Sequence, residues 1–120
     1  MSSRFYISAA HKSSGKTTLS IGLAAAYSKL NNKVQCFKKG PDYIDPLWLM
    51  KASGKACYNL DFNTQSDDEI LATYHGPLPG ADIAFVEGNK GLFDGVALDG
   101  SNANAAMAKL LDLPVLLVIN

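Results

Sequence analysis

The stretch from Ala10 to Thr18, AHKSSGKTT, gathers small residues, paired hydroxyls, one glycine and one lysine directly behind a short apolar run. Such a string can hold phosphate. That task needs a tight strand-to-helix turn, backbone amides facing the anion, and a lysine for the outer phosphates. In this reading Ser13, Ser14 and Gly15 form the turn, Lys16 reaches the β- and γ-phosphates, the Thr17 hydroxyl binds magnesium, and Thr18 holds the α-phosphate. Ala10 stands where the pattern has its first glycine, and its methyl group is compatible with the turn only at negative φ. The plain alternative is an ordinary helix start capped by Ser13 or Ser14. The strand-like run before it and the amphipathic stretch after it favour the phosphate loop. His11 and Lys12 stay open between ligand contact and a solvated turn.

Two further stretches carry more charge than a turn requires. In Lys38 to Pro46, KKGPDYIDP, two lysines stand beside Asp42 and Asp45. Either carboxylate could complete a magnesium shell, because this ion prefers oxygen ligands and phosphate. A lysine there could hold an anionic substrate group, and the bland reading is a solvated charged loop. In Asp82 to Gly95, DIAFVEGNKGLFDG, Glu87 ends an apolar run and Asp94 adds a second acid. An acid at that place coordinates metal or positions water in phosphate-loop enzymes. The glycines at 88, 91 and 95 let backbone pass close to a ligand, whereas a mere surface turn gives Glu87 no purpose. Asp61 is divided between substrate contact and a turn cap. Trp48 and Tyr58 read as packing residues, and His75 as surface.

The elements that must position these groups follow from the hydrophobic pattern. Residues 4–9 read as a strand, 16–31 as a helix stopped by Asn31-Asn32, and 34–37 as a short strand. A loop over 38–46 follows, then a helix over 47–53. Ser66 caps a helix reaching about Tyr74, with acids suited to its positive end. Residues 83–86 form a buried strand, 87–100 a glycine-punctuated loop, 102–111 a helix, and 114–119 another buried strand. Alternating strands and helices predict an α/β fold in three layers, a parallel sheet with helices on both faces. In such sheets ligands bind beyond the carboxyl ends of the strands, which is where all three charged stretches fall.

Bulk properties narrow the function classes. A length of 120 residues sets one domain. Eleven basic and eleven acidic residues cancel, so bulk electrostatics give no reason to expect nucleic acid or an anionic membrane as partner. No apolar run approaches the ~20 residues of a spanning helix. The strand-like run so near Met1 leaves no room for a secretory signal, and Cys36 and Cys57 suit reduced thiols. The expectation is a cytoplasmic protein. A sheet ending at Asn120 has little to cover it, which reads as a fragment, residues 1–120 of a longer polypeptide.

Taken together, SSGKTT, KKGPDYIDP, NLD and EGNKGLFDG, in that order, resemble the amidoligase domain of the cobyrinic acid a,c-diamide synthase family. Hydrogenobyrinic acid enzymes and siroheme-type amidases look similar. The resemblance covers nearly the whole chain. It implies a phosphate-loop fold of the dethiobiotin synthetase superfamily. It also implies ATP and magnesium as cofactors and a tetrapyrrole substrate whose carboxylates become amides through an acyl phosphate. Nitrogen would come from ammonia or from glutamine, hydrolysed in a C-terminal glutaminase domain absent here. Carried over by motif, Lys16 and Thr17 serve ATP and magnesium, and Lys38, Asp42, Tyr43 and Asp45 fall in the substrate and metal loop. Glu87 and Asp94 fall in the acidic loop. Lys16, Asp45, Glu87 and Asp94 are the expected catalytic residues, with Thr17, Asp45 and Glu87 facing the metal.

Two features depart from the family pattern. Asn89-Lys90 replaces more apolar residues, and neither cysteine has nucleophile-elbow surroundings. One alternative is a carboxylate-phosphorylating ligase like dethiobiotin synthetase, against which the GPDYIDP and GLFDG strings speak. Another is a partition-type ATPase switch, whose signature lysine position is occupied by His11. Pairing of two copies is left open.

Overall fold

The computed structural model describes residues 3–9, 15–91 and 104–119. Nine elements follow one another: β1 (Ser3–Ala9), α1 (Lys16–Lys29), β2 (Val34–Lys39), α2 (Asp45–Ser53), β3 (Tyr58–Leu60), α3 (Asp67–His75), β4 (Ile83–Gly91), α4 (Asn104–Leu111) and β5 (Val115–Val118). The five strands make one sheet in the order β3-β2-β4-β1-β5, and every pairing is parallel.

Alternation along the strands builds a core on each face. Tyr6, Phe37 and Val86 point to the side where α3 and α4 lie, joining Leu60, Ile70, Tyr74 and Met107. Their neighbours Ile7, Cys36 and Phe85 point the other way, against Ala24 of α1 and Leu49 of α2. The architecture is therefore the expected three layers. Helix α1 approaches the sheet through small residues, since Ser20 and Ala24 are its buried positions. It ends at Lys29, two residues before the expected limit, and the chain leaves it through Asn31 in a left-handed conformation at φ 65°, a region asparagine tolerates better than most residues. Helix α3 begins with a full capping box between Ser66 and Glu69.

Several boundaries differ from expectation, each for a stated reason. Strand β2 runs on to Lys39 because β4 and β3 both pair with it there, at Lys38↔Glu87 and Lys39↔Leu60. Strand β4 likewise continues past Val86 to Gly91, held by β1 at Ala9↔Gly91. Helix α2 starts two residues early, at Asp45, because Asp42 Oδ1 accepts from the N–H groups of Ile44 and Asp45 at 2.9 and 3.1 Å. Strand β3 escaped the hydrophobic pattern because three residues are too few to show alternation. Strand β5 is not buried: Val115, Leu116 and Leu117 are 41–43% exposed, since among the described residues β5 is an edge strand paired only with β1. Trp48 and Tyr58 are likewise exposed rather than packed.

Candidate active site

Glu87 is the pivot. In register on central β4, it has Ile7 of β1 on one side and Lys38 of β2 on the other, and its side chain is fully buried. Two helix starts bring in the remaining groups. Gly15 turns the chain into α1 at φ 84°, a left-handed value that glycine adopts without strain. Lys16 and Thr17 thereby fall in the first helical turn. Asp45 opens α2, turned inward by the Asp42 bonds to the backbone.

These side chains converge on one point. The Thr17 hydroxyl lies 2.9 Å from Glu87 Oε1 and 3.2 Å from Asp45 Oδ2. Lys38 Nζ lies 2.9 Å from the same Glu87 oxygen and 3.1 Å from the same Asp45 oxygen. It also donates to the Gly88 carbonyl at 3.0 Å, so the three N–H groups of the ammonium each have a partner. Asp42 Oδ2 stands farther off, 3.8 Å from Lys38. Lys16 Nζ approaches Glu87 Oε1 at 3.9 Å.

The electrostatics follow from burial and this pairing. Burial works against the charge on Lys38, but the Glu87 charge and the bonds to Glu87 and Asp45 outweigh it and hold its pKa above the ordinary value. For Asp45, burial raises the pKa, yet the bond and charge of Lys38 and the Thr17 hydroxyl together hold it below the ordinary carboxylate value. Lys16 is depressed, first by burial and then by repulsion from Lys38. Burial pushes the Cys36 thiol up to about 12, so it packs rather than reacts.

Half of the twelve expected site residues meet here: Lys16, Thr17, Lys38, Asp42, Asp45 and Glu87. Thr18 and Tyr43 are exposed nearby. Ser13, Ser14 and Asp94, with Ala10, His11 and Lys12, lie outside the described residues. Asp61 resolves as a turn residue, because its carboxylate accepts from the Asn63 N–H and the Thr64 hydroxyl. Sequence reasoning missed the support behind Glu87. Asn104 opens α4 fully buried, bonded to the Asn89 backbone at both its N–H and its carbonyl. The Tyr6 hydroxyl donates to the same Asn104 oxygen at 2.7 Å. A polar residue at the head of a mostly apolar helix was the available signal, and it is a faint one.

Among the described residues no group of three or more histidine, cysteine or acidic side chains gathers as a metal site. Two carboxylates and a hydroxyl do gather, and Glu87 Oε2 is buried with no hydrogen-bond partner among the described residues. That donor set fits magnesium, which binds through one or two carboxylates when phosphate completes its shell.

The fold and cluster define a parallel α/β protein with a lysine-bridged carboxylate site at the carboxyl ends of its central strands. The chain is 51% identical over 98% of its length to a cobyrinate a,c-diamide synthase of Magnetococcus marinus. It is 43% identical to one of Dehalococcoides mccartyi, again over 98% of its length, and 43% identical over 97% to a hydrogenobyrinate a,c-diamide synthase of Brucella ovis. It covers 25%, 26% and 27% of those three proteins. No family model matches the chain. The chain is thus related, over nearly all its residues, to about a quarter of the length of these synthases.

Proposed function

We propose that the chain carries the carboxylate-activating site of an ATP-dependent amidoligase acting on cobyrinate or a similar tetrapyrrole. The observation that carries this is the convergence of Thr17, Asp45, Glu87 and Lys38 on one point beside Lys16. The names of the relatives supply the substrate class. A product called an a,c-diamide arises from a molecule with at least two carboxylates.

The difficulty of the reaction is charge. A substrate carboxylate must approach the γ-phosphate of ATP, an anion meeting an anion, so catalysis rests on positioning and electrostatic relief. Lys16, in the first turn of α1, is placed to neutralise the outer phosphates. Thr17, Asp45 and Glu87 would hold magnesium, which when bound lowers the charge that the substrate must meet. Lys38, its three N–H groups taken by Glu87, Asp45 and the Gly88 carbonyl, would favour the incoming carboxylate through its positive charge rather than through a bond. One carboxylate oxygen bonds to the γ-phosphorus while the bond to the bridging oxygen breaks, giving an acyl phosphate and ADP. Ammonia then attacks the acyl carbon, phosphate leaves with that oxygen, and loss of a proton gives the amide. Glutamine, hydrolysed by a further domain, is the proposed ammonia source. Asp94 stays in the proposal as a second acid. No helix among the described residues is long and apolar enough to cross a membrane, in keeping with a cytoplasmic setting.

Oxygen-18 tests the route. With cobyrinate labelled in its carboxylates, ammonia and ATP, the label appears in inorganic phosphate. Phosphate free of label rules out the acyl phosphate. Sirohydrochlorin-type tetrapyrroles and diaminopelargonate are offered in parallel, and turnover with diaminopelargonate alone overturns the tetrapyrrole assignment. Lys16→Ala abolishes turnover on this account.

A further inference from the structure

Next to the cluster, the strand ends and the turn after β2 enclose a shallow cavity of about 380 Å³, lined by Lys39, Pro41, Asp42, Tyr43, Ile44 and Asn89. Neighbouring residues of a strand point to opposite faces. Lys38 therefore turns to the cluster while Lys39 turns away from it, 6.0 Å from the centre of the Phe62 ring. Lys39 Nζ donates to Asn89 Oδ1 at 3.4 Å. The Asn89 backbone is fixed from behind by Asn104, itself held by Tyr6, and these bonds do not use the Asn89 side chain. That side chain also closes over Gly40, where an added methyl would stand 2.8 Å from Asn89 Nδ2. One wall of the cavity is thus a seated ammonium–amide pair, and the other is formed by Pro41, Asp42, Tyr43 and Ile44, with the Asp42 carboxylate engaged by the N–H groups of Ile44 and Asp45 and facing Lys38 at 3.8 Å.

We propose that Lys39 and Asn89 form a second carboxylate subsite, reading a carboxylate of the substrate other than the one being activated. This rests on the functional reading above, in which the substrate carries at least two carboxylates. While one is activated beside Lys38, another remains an anion on the same framework. An ammonium and an amide N–H are the donors that distinguish such an anion from its amide product, because charge-assisted bonds are the stronger kind. The apolar wall suits the hydrocarbon body that joins the two groups.

Steady-state kinetics with cobyrinate and ATP test this in Lys39→Met and Asn89→Asp. The first keeps the bulk of the side chain and removes its charge. The second keeps shape and the backbone bonds to Asn104, and sets a like charge against the substrate, so it carries the test if loss of Lys39 impairs folding. In both, KM for cobyrinate rises about tenfold or more, the size of a lost charge-assisted hydrogen bond. KM for ATP and saturated kcat stay within about twofold, as loss of uniform substrate binding requires. An unchanged cobyrinate KM overturns the subsite, and so does a loss confined to kcat or to ATP. Wild-type protein that fails to turn over cobyrinate refutes the functional reading itself, and the subsite with it.

Discussion

Lys38 is the residue on which the site's balance depends. Its ammonium is 3% exposed and joins carboxylates that are themselves buried or half-buried. Removing one partner of a buried pair leaves an uncompensated charge, at a cost of about 3–5 kcal/mol. Lys38→Met is therefore expected to lower unfolding free energy by that order in a urea titration, and magnesium is expected to recover part of the loss by binding the exposed donor set. The pH dependence has two edges. Asp45 is held below its ordinary pKa of 3.8, so its contribution is present above that value and lost as pH falls through the folded one. Lys38 is held above 10.5, so its contribution is present below that value and lost as pH rises through the folded one. Unfolding followed across pH should show stability falling below about pH 4, less steeply in Asp45→Asn. Residue types and order made Lys16, Thr17, Asp45 and Glu87 readable in advance. Asn104 and Tyr6 were not, because their role depends on α4 and β1 meeting at the end of β4.

Elements position these residues through a few turns whose geometry admits particular side chains. Gly15 sits at φ 84° with open space where a side chain would go, so Gly15→Ala is a backbone effect of about 1–2 kcal/mol. Gly88 is the opposite case. A methyl there would stand 2.6 Å from Asn104 Oδ1 and 2.9 Å from the Tyr6 ring. Gly88→Ala should cost about 1–3 kcal/mol by overpacking and should lower turnover, since Lys38 bonds to the carbonyl of this residue. Ser66→Ala is the control: it breaks the capping box of α3, costs about 1 kcal/mol, and leaves turnover unchanged. Thermal unfolding and an ATP-consumption assay separate the three. Helix α3 and the stop of α1 were legible because capping and asparagine signals are local. The true ends of β2 and β4 were not, because partner strands extend them beyond their apolar runs.

At the scale of the molecule, the expected three-layer parallel sheet is present, and its carboxyl end carries the cluster. Strand β5 departs from expectation, with an apolar sequence on an exposed edge. Unprotected edges pair with other chains, and lysine blunts them. Taken as these 120 residues alone, the chain is expected to self-associate through β5, and Leu117→Lys to shift sedimentation toward the monomer without lowering the unfolding temperature. Equal sedimentation of the two proteins would count against an active edge. Hydrophobic pattern alone could identify β5 as a strand but not its place at the border, which depends on strand order.

The central claim is that Thr17, Asp45 and Glu87 form the magnesium side of a nucleotide site, and calorimetric titration with ATP tests it most directly. Wild-type protein should bind ATP only with magnesium present. Glu87→Gln should weaken that binding by about tenfold or more, at least ~1.4 kcal/mol. Equal affinity in the two proteins, or ATP binding indifferent to magnesium, would contradict the account.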